Sequence, residues 1–197
     1  MLRTRAGYAG GQKENPTYYD LGNHTEVISI DYDPAVLSYS DLLKIFWEAH
    51  RCDQLNRSRQ YMNAVFYHND VQKKLAEESR AAAAKAQGVQ AEGVETSILP
   101  VGQFTYAEAY HQKYYLTRYP GIRGVLTRAY PGAKALADSA VATRLNAYLG
   151  SGMNRDWAHF VRELPEYGLP ADLEKALSEA AHDLIAPTPR IDEKTRD

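Results

Sequence analysis

The sequence predicts an α+β fold, a two-layer domain of sheet and helix with a helical C-terminal extension. Three observations predict it. "TEVISIDY" (residues 25–32) alternates with a period of two, the spacing of a half-buried strand. "SYSDLLKIFWEAH" (residues 38–50) then switches to helical spacing. From Ala133 onward only helix-like segments remain, separated by Gly150, Pro165 and Pro170.

Taken in order, Leu2–Tyr8 reads as a short strand broken by Gly10–Gly11, and a loop rich in Asn, Pro, Tyr and Gly runs on through Asn23. In Thr25–Tyr32, Val27, Ser29 and Asp31 alternate with Ile28, Ile30 and Tyr32, and Asp33–Pro34 ends the strand. Ser38 is placed as the N-cap of the first helix, with Asp41 in its first turn and Leu42, Ile45 and Phe46 on one face. Gln60–His68 reads as a strand again. Asn69 stands three residues before Gln72, the spacing of a capping box, and good helix formers continue until Gly88. Glu95–Val101 is a further strand, and Thr105–Tyr119 reads as a helix stopped by Pro120–Gly121. Helices are predicted over Ala133–Leu149, Asn154–Leu164 and Ala171–Ile185. The sequence thus divides into an α/β domain over residues 1–130, a helical extension over 131–186 and a disordered tail over 187–197, where no apolar periodicity remains.

Composition excludes several classes. Hydrophobic residues make up 44% of the 197 and charged residues 24%, ordinary globular usage. A net charge of −2 argues against a broad nucleic-acid surface. No run approaches a membrane span and no signal peptide begins at Met1, so no membrane partner is expected. The single cysteine, Cys52, excludes an internal disulfide and suits a reducing compartment; the cytoplasm is the default, with an organelle not excluded. There is no spaced Cys/His set for zinc and no pair of histidines at ligand spacing, so no metal is expected. P-loop, dinucleotide and G-x-S-x-G motifs are also missing.

What remains is a cluster. Tyr8 closes the first strand, Glu26 opens the second, and Tyr61 opens the strand after the first helix. If those strands share one sheet, the three side chains converge at one end of it. A carboxyl among tyrosines is partly desolvated, which raises its pKa and lets it donate a proton near neutral pH. On spacing alone Glu26 also reads as a solvent-facing strand residue. Cys52 follows a helix C-terminus, where the dipole opposes a thiolate, so it is a poor stand-in nucleophile. Phe46–Trp47 sits at core spacing. His111 stands among Tyr110, Tyr114 and Tyr115, and a histidine bonded to a backbone group is the commoner reading there.

"GYAGG", "NPTY" and "GNHTEV", followed by "LLKIFWEAH", "RQYM" and "AEAYHQKYY", occur in the order and spacing that resemble peptide methionine sulfoxide reductase A, over roughly residues 2–120. The helical part from Ala133 is similar to a divergent branch with a longer C-terminus. The resemblance implies reduction of methionine S-sulfoxide in oxidised proteins or peptides. A cysteine thiolate attacks the sulfur, an acid and tyrosines bind and protonate the oxygen, and a cysteine sulfenic acid is left for thiols or a thioredoxin-like partner to reduce. No bound cofactor is implied. Glu26 of "HTEV" is placed as the acid, Tyr8 and Tyr61 as hydroxyl donors, and His111 and Asn56 as substrate-binding residues.

The departures from the family pattern carry equal weight. The family's nucleophile lies in a Gly-Cys-Phe-Trp block upstream of the "GYAGG" strand, and this sequence does not contain that block. Asn56 stands where an aspartate is common, five residues before the "QY" tyrosine, and Ala109 where an acid is usual before "YHQ". The resemblance also implies a ferredoxin-like β-α-β-β-α-β core whose first strand and helix are missing here. Two strands are then expected to expose inner edges, and the sheet one apolar face. A chain incomplete at its N-terminal end is the expectation, and a non-catalytic binding protein that keeps the donor side of the pocket is the alternative.

Overall fold

β-Branched and aromatic alternation produces the first strands where the sequence places them. The computed structural model describes residues 2–56, 58–150 and 156–185. The predicted tail and the first residues of the helix placed at Asn154 lie outside the described residues. Strands β1 (Arg3–Ala9) and β2 (Thr25–Asp31) pair antiparallel in a register that sets Tyr8 opposite Glu26 and Arg3 opposite Asp31. Helix α1 (Tyr39–Glu48) starts at Ser38, whose hydroxyl accepts from the Asp41 N–H while Asp41 accepts from the Ser38 N–H, a reciprocal cap. Strand β3 (Ala64–Tyr67) and helix α2 (Asp70–Gln87) follow. The Asn69 side chain caps α2 by accepting from the Gln72 N–H, and Gly88 ends it with φ +69°, a conformation that glycine adopts without Cβ strain.

The chain divides into two compact units, Met1–Gln112 and Lys113–Asp197. In the first, strands β4 (Ser97–Pro100) and β5 (Thr105–Tyr106) complete two sheets. One has the order β2-β1-β5; the other is the parallel pair β3-β4. The strands therefore do not form the single sheet expected. Leu43 and Trp47 of α1 pack with Cys52, Val65, Ala76 and Ala83 into the core beneath β3, and the Trp47 indole donates to the Ser79 hydroxyl. The core face of α1 is thus the Leu43–Trp47 pair, one step round from the predicted Leu42–Ile45–Phe46 face, and Ile45 is exposed.

A cavity of about 370 Å³ runs between β2 and β3. Its walls include every residue from Thr25 to Ile30 and every residue from Met62 to Phe66. A space over one face of a strand touches alternate residues; one that touches consecutive residues lies along the strand's edge. Among the described residues β2 pairs only with β1 and β3 only with β4, so neither facing edge has a strand partner, and the Glu26 N–H donates to the Gln60 carbonyl. Ile28, on the same cavity wall, is 64% exposed. Unpaired facing edges agree with what the family resemblance implies, and Ile28 is the one large apolar residue of β2 that is exposed.

The segment Thr105–Tyr119 departs from its predicted helix. Thr105 and Tyr106 add to β1, and residues after them form turns before the short helix α3 (Tyr114–Thr117). The cause is Gln112, a buried amide whose Oε1 accepts from the Ala6 N–H and whose Nε2 donates to the Ala6 and Ala107 carbonyls. That side chain ties the segment to β1 as a strand partner would.

The second unit is helical: α3, α4 (Pro120–Ala129), α5 (Ala133–Ala137), α6 (Ala140–Gly150), α7 (Trp157–Glu163) and α8 (Ala171–Ile185). Leu116, Ile122, Leu126, Leu145, Trp157 and Phe160 are in its core. The helical part therefore begins at Lys113, ahead of the residue 131 placed from sequence. Pro120 does not stop a helix; it opens α4, where its missing N–H costs nothing. The predicted Ala133–Leu149 helix is two helices, separated at Asp138–Ser139 where Ser139 caps the second by accepting from the Ala142 N–H.

Candidate active site

The register places Tyr8 and Glu26 directly opposite each other, so their side chains share one face of the sheet. Tyr61 joins them by another route than the one expected. It lies in a turn ahead of β3, not in a strand, and the adjoining Gln60 brings it in. The Gln60 carbonyl accepts from the Glu26 N–H at 2.9 Å, and its side-chain amide donates to Glu26 Oε1 at 2.8 Å. The Tyr61 hydroxyl then meets the Tyr18 hydroxyl at 2.8 Å. Tyr61 is 58% exposed, so its phenol is open to a ligand. Its bond to Tyr18, desolvation and the charges of Tyr18 and Glu26 push its pKa up to about 12, so it holds its proton at neutral pH.

Tyr8 is different. It is 1% exposed, and its hydroxyl donates to Glu108 Oε2 at 2.5 Å. Burial, then the bond to Glu108 and the charges of Glu108 and Glu26, drive its pKa far above the ordinary phenol range. A phenol has one proton, and this one is committed to Glu108. A ligand oxygen arriving at Tyr8 meets lone pairs, so the donor role assigned to Tyr8 from sequence requires that bond to be given up. The other Glu108 oxygen, Oε1, accepts from the Tyr18 N–H at 3.0 Å. Burial would raise the Glu108 pKa, but the bonds from Tyr8 and the Tyr18 backbone outweigh it and hold the carboxyl below the usual range.

His111 stands beside this cluster, its ring 4.9 Å from Tyr18 and 4.3 Å from Tyr110 between centroids. Its Nε2 is buried with no hydrogen-bond partner among the described residues, an orphaned polar atom on a ring that lies against Tyr18 and Tyr110. Asn56 is elsewhere engaged: Nδ2 donates to the Glu95 carbonyl, and Oδ1 accepts from the Asn63 N–H. Cys52 lies in the α1–α2 core at 0% exposure, its N–H donating to Gln87 Oε1 and its carbonyl accepting from the Glu95 N–H. Its sulfur is closed to any sulfoxide in this structure.

The glycine-rich loop supplies Tyr18 and is held from both sides. His24 is buried; its Nδ1 accepts from the Gly11 N–H, and Nε2 pairs with the Lys13 carbonyl, which requires the Nε2–H tautomer. Arg59 donates to the Asn23 and Gly10 carbonyls. Gly10 adopts φ +75°, and a Cβ there would come within 2.3 Å of the Phe66 ring, so no other residue fits. Glu108, Tyr18 and Gln60 were not singled out from sequence. The "AEAYHQKYY" block held the signal for Glu108, but a helical reading of that block pointed its carboxyl nowhere in particular.

No group of three or more His, Cys, Asp or Glu suited to a metal ion occurs among the described residues. Nor is any helix there long and apolar enough to cross a membrane.

Residues 1–142 match the family model for peptide methionine sulfoxide reductase. A peptide methionine sulfoxide reductase of Drosophila melanogaster is 41% identical over 150 residues, 76% of this chain and 59% of that protein. The MsrA reductase of Methanothermobacter thermautotrophicus is 42% identical over 137 residues, 65% of this chain and 80% of the relative. Among solved structures, reduced Mxr1 from Saccharomyces cerevisiae aligns with a TM-score of 0.53 at 25% identity, over 59% of this chain and 71% of that one. The chain thus spans less than two thirds of the length of the fly protein it matches.

Proposed function

Because the chain belongs to the peptide methionine sulfoxide reductase family, we propose that it serves the reduction of methionine S-sulfoxide in oxidised proteins to methionine. The observation that carries this reading is the exposed Tyr61 phenol, held protonated beside the Glu26 carboxyl. A sulfoxide oxygen carries partial negative charge and needs donors. Tyr61 supplies one, and Glu26 is placed to pass on the proton that turns the oxygen into a hydroxyl.

A thiolate sulfur bonds to the sulfoxide sulfur as the oxygen takes the proton from Glu26. The hydroxyl then passes to the thiol sulfur, methionine departs as the thioether, and a sulfenic acid remains. Two further thiol equivalents, from a small thiol or a thioredoxin-like protein, reduce the sulfenic acid to thiol and leave as disulfide with water. The chain has one cysteine and it is buried, so the attacking thiolate belongs to a thiol outside residues 1–197. This chemistry uses no bound cofactor, and it suits a reducing compartment such as the cytoplasm.

The test is turnover of S- and R-sulfoxide peptides by protein isolated from its own cells, with dithiothreitol. The S epimer should be consumed and the R epimer spared. Glu26→Gln should slow the reaction by roughly 10²-fold, and Cys52→Ser should leave it unchanged. Equal use of both epimers, or loss of turnover in Cys52→Ser with Glu26→Gln unaffected, would overturn the proposal.

A further inference from the structure

Glu108 touches two parts of the cluster at once, and nothing in the reaction above uses it. One oxygen takes the Tyr8 proton at the end of β1; the other takes the Tyr18 backbone N–H at the middle of the loop. Tyr18 in turn carries the hydroxyl that meets Tyr61. Residues 10–24 form no strand ladder, so the place of Tyr18 rests on a few bonds, of which those to Glu108 and Tyr61 cross from other parts of the chain. The same segment also sets His111, whose N–H donates to the Glu108 carbonyl at 3.0 Å and whose ring lies against Tyr18.

We propose that Glu108 is a positioning residue of the sulfoxide pocket: its carboxylate directs the Tyr8 hydroxyl inward and fixes the Tyr18 backbone, and through Tyr18 it sets the Tyr61 hydroxyl that faces the ligand. The proposal rests on the sulfoxide reading above. Its chemistry calls for a carboxylate, because the O–H and the N–H meet different oxygens and only a carboxylate accepts at both. In a glutamine, the oxygen can serve Tyr18 while the amide N–H₂ turns on Tyr8 and reverses the direction of that bond, or it can serve Tyr8 and confront the Tyr18 N–H with a second donor. Either arrangement disturbs one of the two ties. Glu108 itself does not touch the ligand. It decides which hydroxyl does, Tyr61 and not Tyr8.

The test compares wild type, Glu108→Gln and Tyr8→Phe by NMR of the Tyr18 amide and the Tyr61 ring, and by titration with the S and R epimers of N-acetyl-methionine sulfoxide methylamide. In Glu108→Gln the Tyr18 amide and the Tyr61 ring signals should move before any ligand is added. The S epimer should then bind about tenfold more weakly, a change equal to one moderately strong hydrogen bond, and the ratio of S to R affinity should shrink. The Tyr8→Phe and Glu108→Gln effects should fall short of additive, since both remove the same bond. A folded Glu108→Gln protein with unmoved Tyr61 signals and an unchanged S to R ratio overturns the proposal, because a merely structural Glu108 alters stability without altering epimer choice. If wild type binds neither epimer, the sulfoxide reading fails. The ligand-free Tyr18 and Tyr61 signals then still decide the placement by Glu108, supporting it if they move and overturning it if they do not. Should Glu108→Gln not fold, the same ligand-free signals and the same S to R ratio are read from Tyr8→Phe: movement supports the placement, and unmoved signals with an unchanged ratio overturn it.

Discussion

The phenols of the cluster make stability depend on alkali. In an unfolded chain a tyrosine ionises near pH 10, whereas Tyr61 is pushed up to about 12 and Tyr8 higher still by burial and Glu108. A group whose folded pKa is raised contributes stability that is whole below its unfolded value and is lost as pH rises through the folded one. The urea midpoint should therefore fall between about pH 10 and pH 12; Tyr8→Phe should flatten that fall, and a midpoint indifferent to pH in this window would contradict the assignment. Glu108 acts with the opposite sign. Its lowered pKa contributes stability above the ordinary carboxylate range that is lost on acidification below it, and Glu108→Gln should remove that acid limb. At this scale the meeting of Tyr8 and Glu26 was legible on the condition that their strands share one sheet, which β1 and β2 do. Glu108 and Tyr18 were not. One was read on a helix that does not form, and the other lies in a loop whose course depends on His24 and Arg59, two side chains from different parts of the chain.

Elements with their own punctuation were read well. Ser38 and Asp41 cap α1, and Asn69 and Gly88 bound α2, because capping is decided by residues three or four apart. Replacing Asn69 by Ala should cost about 1 kcal/mol of unfolding free energy, measured by urea denaturation; a cost near zero would mean that water replaces the cap. Elements decided at long range were misread. Thr105–Tyr119 has helical composition, yet Gln112 diverts it to β1, and no local pattern reveals an amide that bonds both backbone groups of Ala6, more than 100 residues away. Likewise the core face of α1 turns on which residues meet α2 and β3. Leu42 lines the cavity, and Phe46 lines it while also packing against the core, a division that apolar character alone could not reveal.

At the scale of the whole molecule, β2 and β3 of the first unit face each other across a cavity without pairing. Two edges without strand partners and the exposed Ile28 are surfaces that a folded protein normally covers or blunts with charge. Isolated residues 1–197 should bind a hydrophobic dye such as anilinonaphthalene sulfonate in the native state and should self-associate with rising concentration. Ile28→Lys should reduce both, as seen by fluorescence and light scattering. Dye binding unchanged by Ile28→Lys would place the exposed apolar surface elsewhere. That β2 and β3 leave facing edges unpaired agrees with the strand order implied by the family resemblance. The split of the strands into two sheets was not legible, because register and neighbour choice are decided at long range.

The most direct test is a nuclear Overhauser experiment on the chain with a peptide whose methionine S-sulfoxide carries a ¹³C-labelled S-methyl group. Contacts from that methyl to the Tyr61 ring and to the Glu26 side chain are expected with the S epimer and not with the R epimer. Contacts confined to the cavity wall away from Tyr61, contacts equal for both epimers, or none with either would contradict the assignment of this cluster as the sulfoxide pocket.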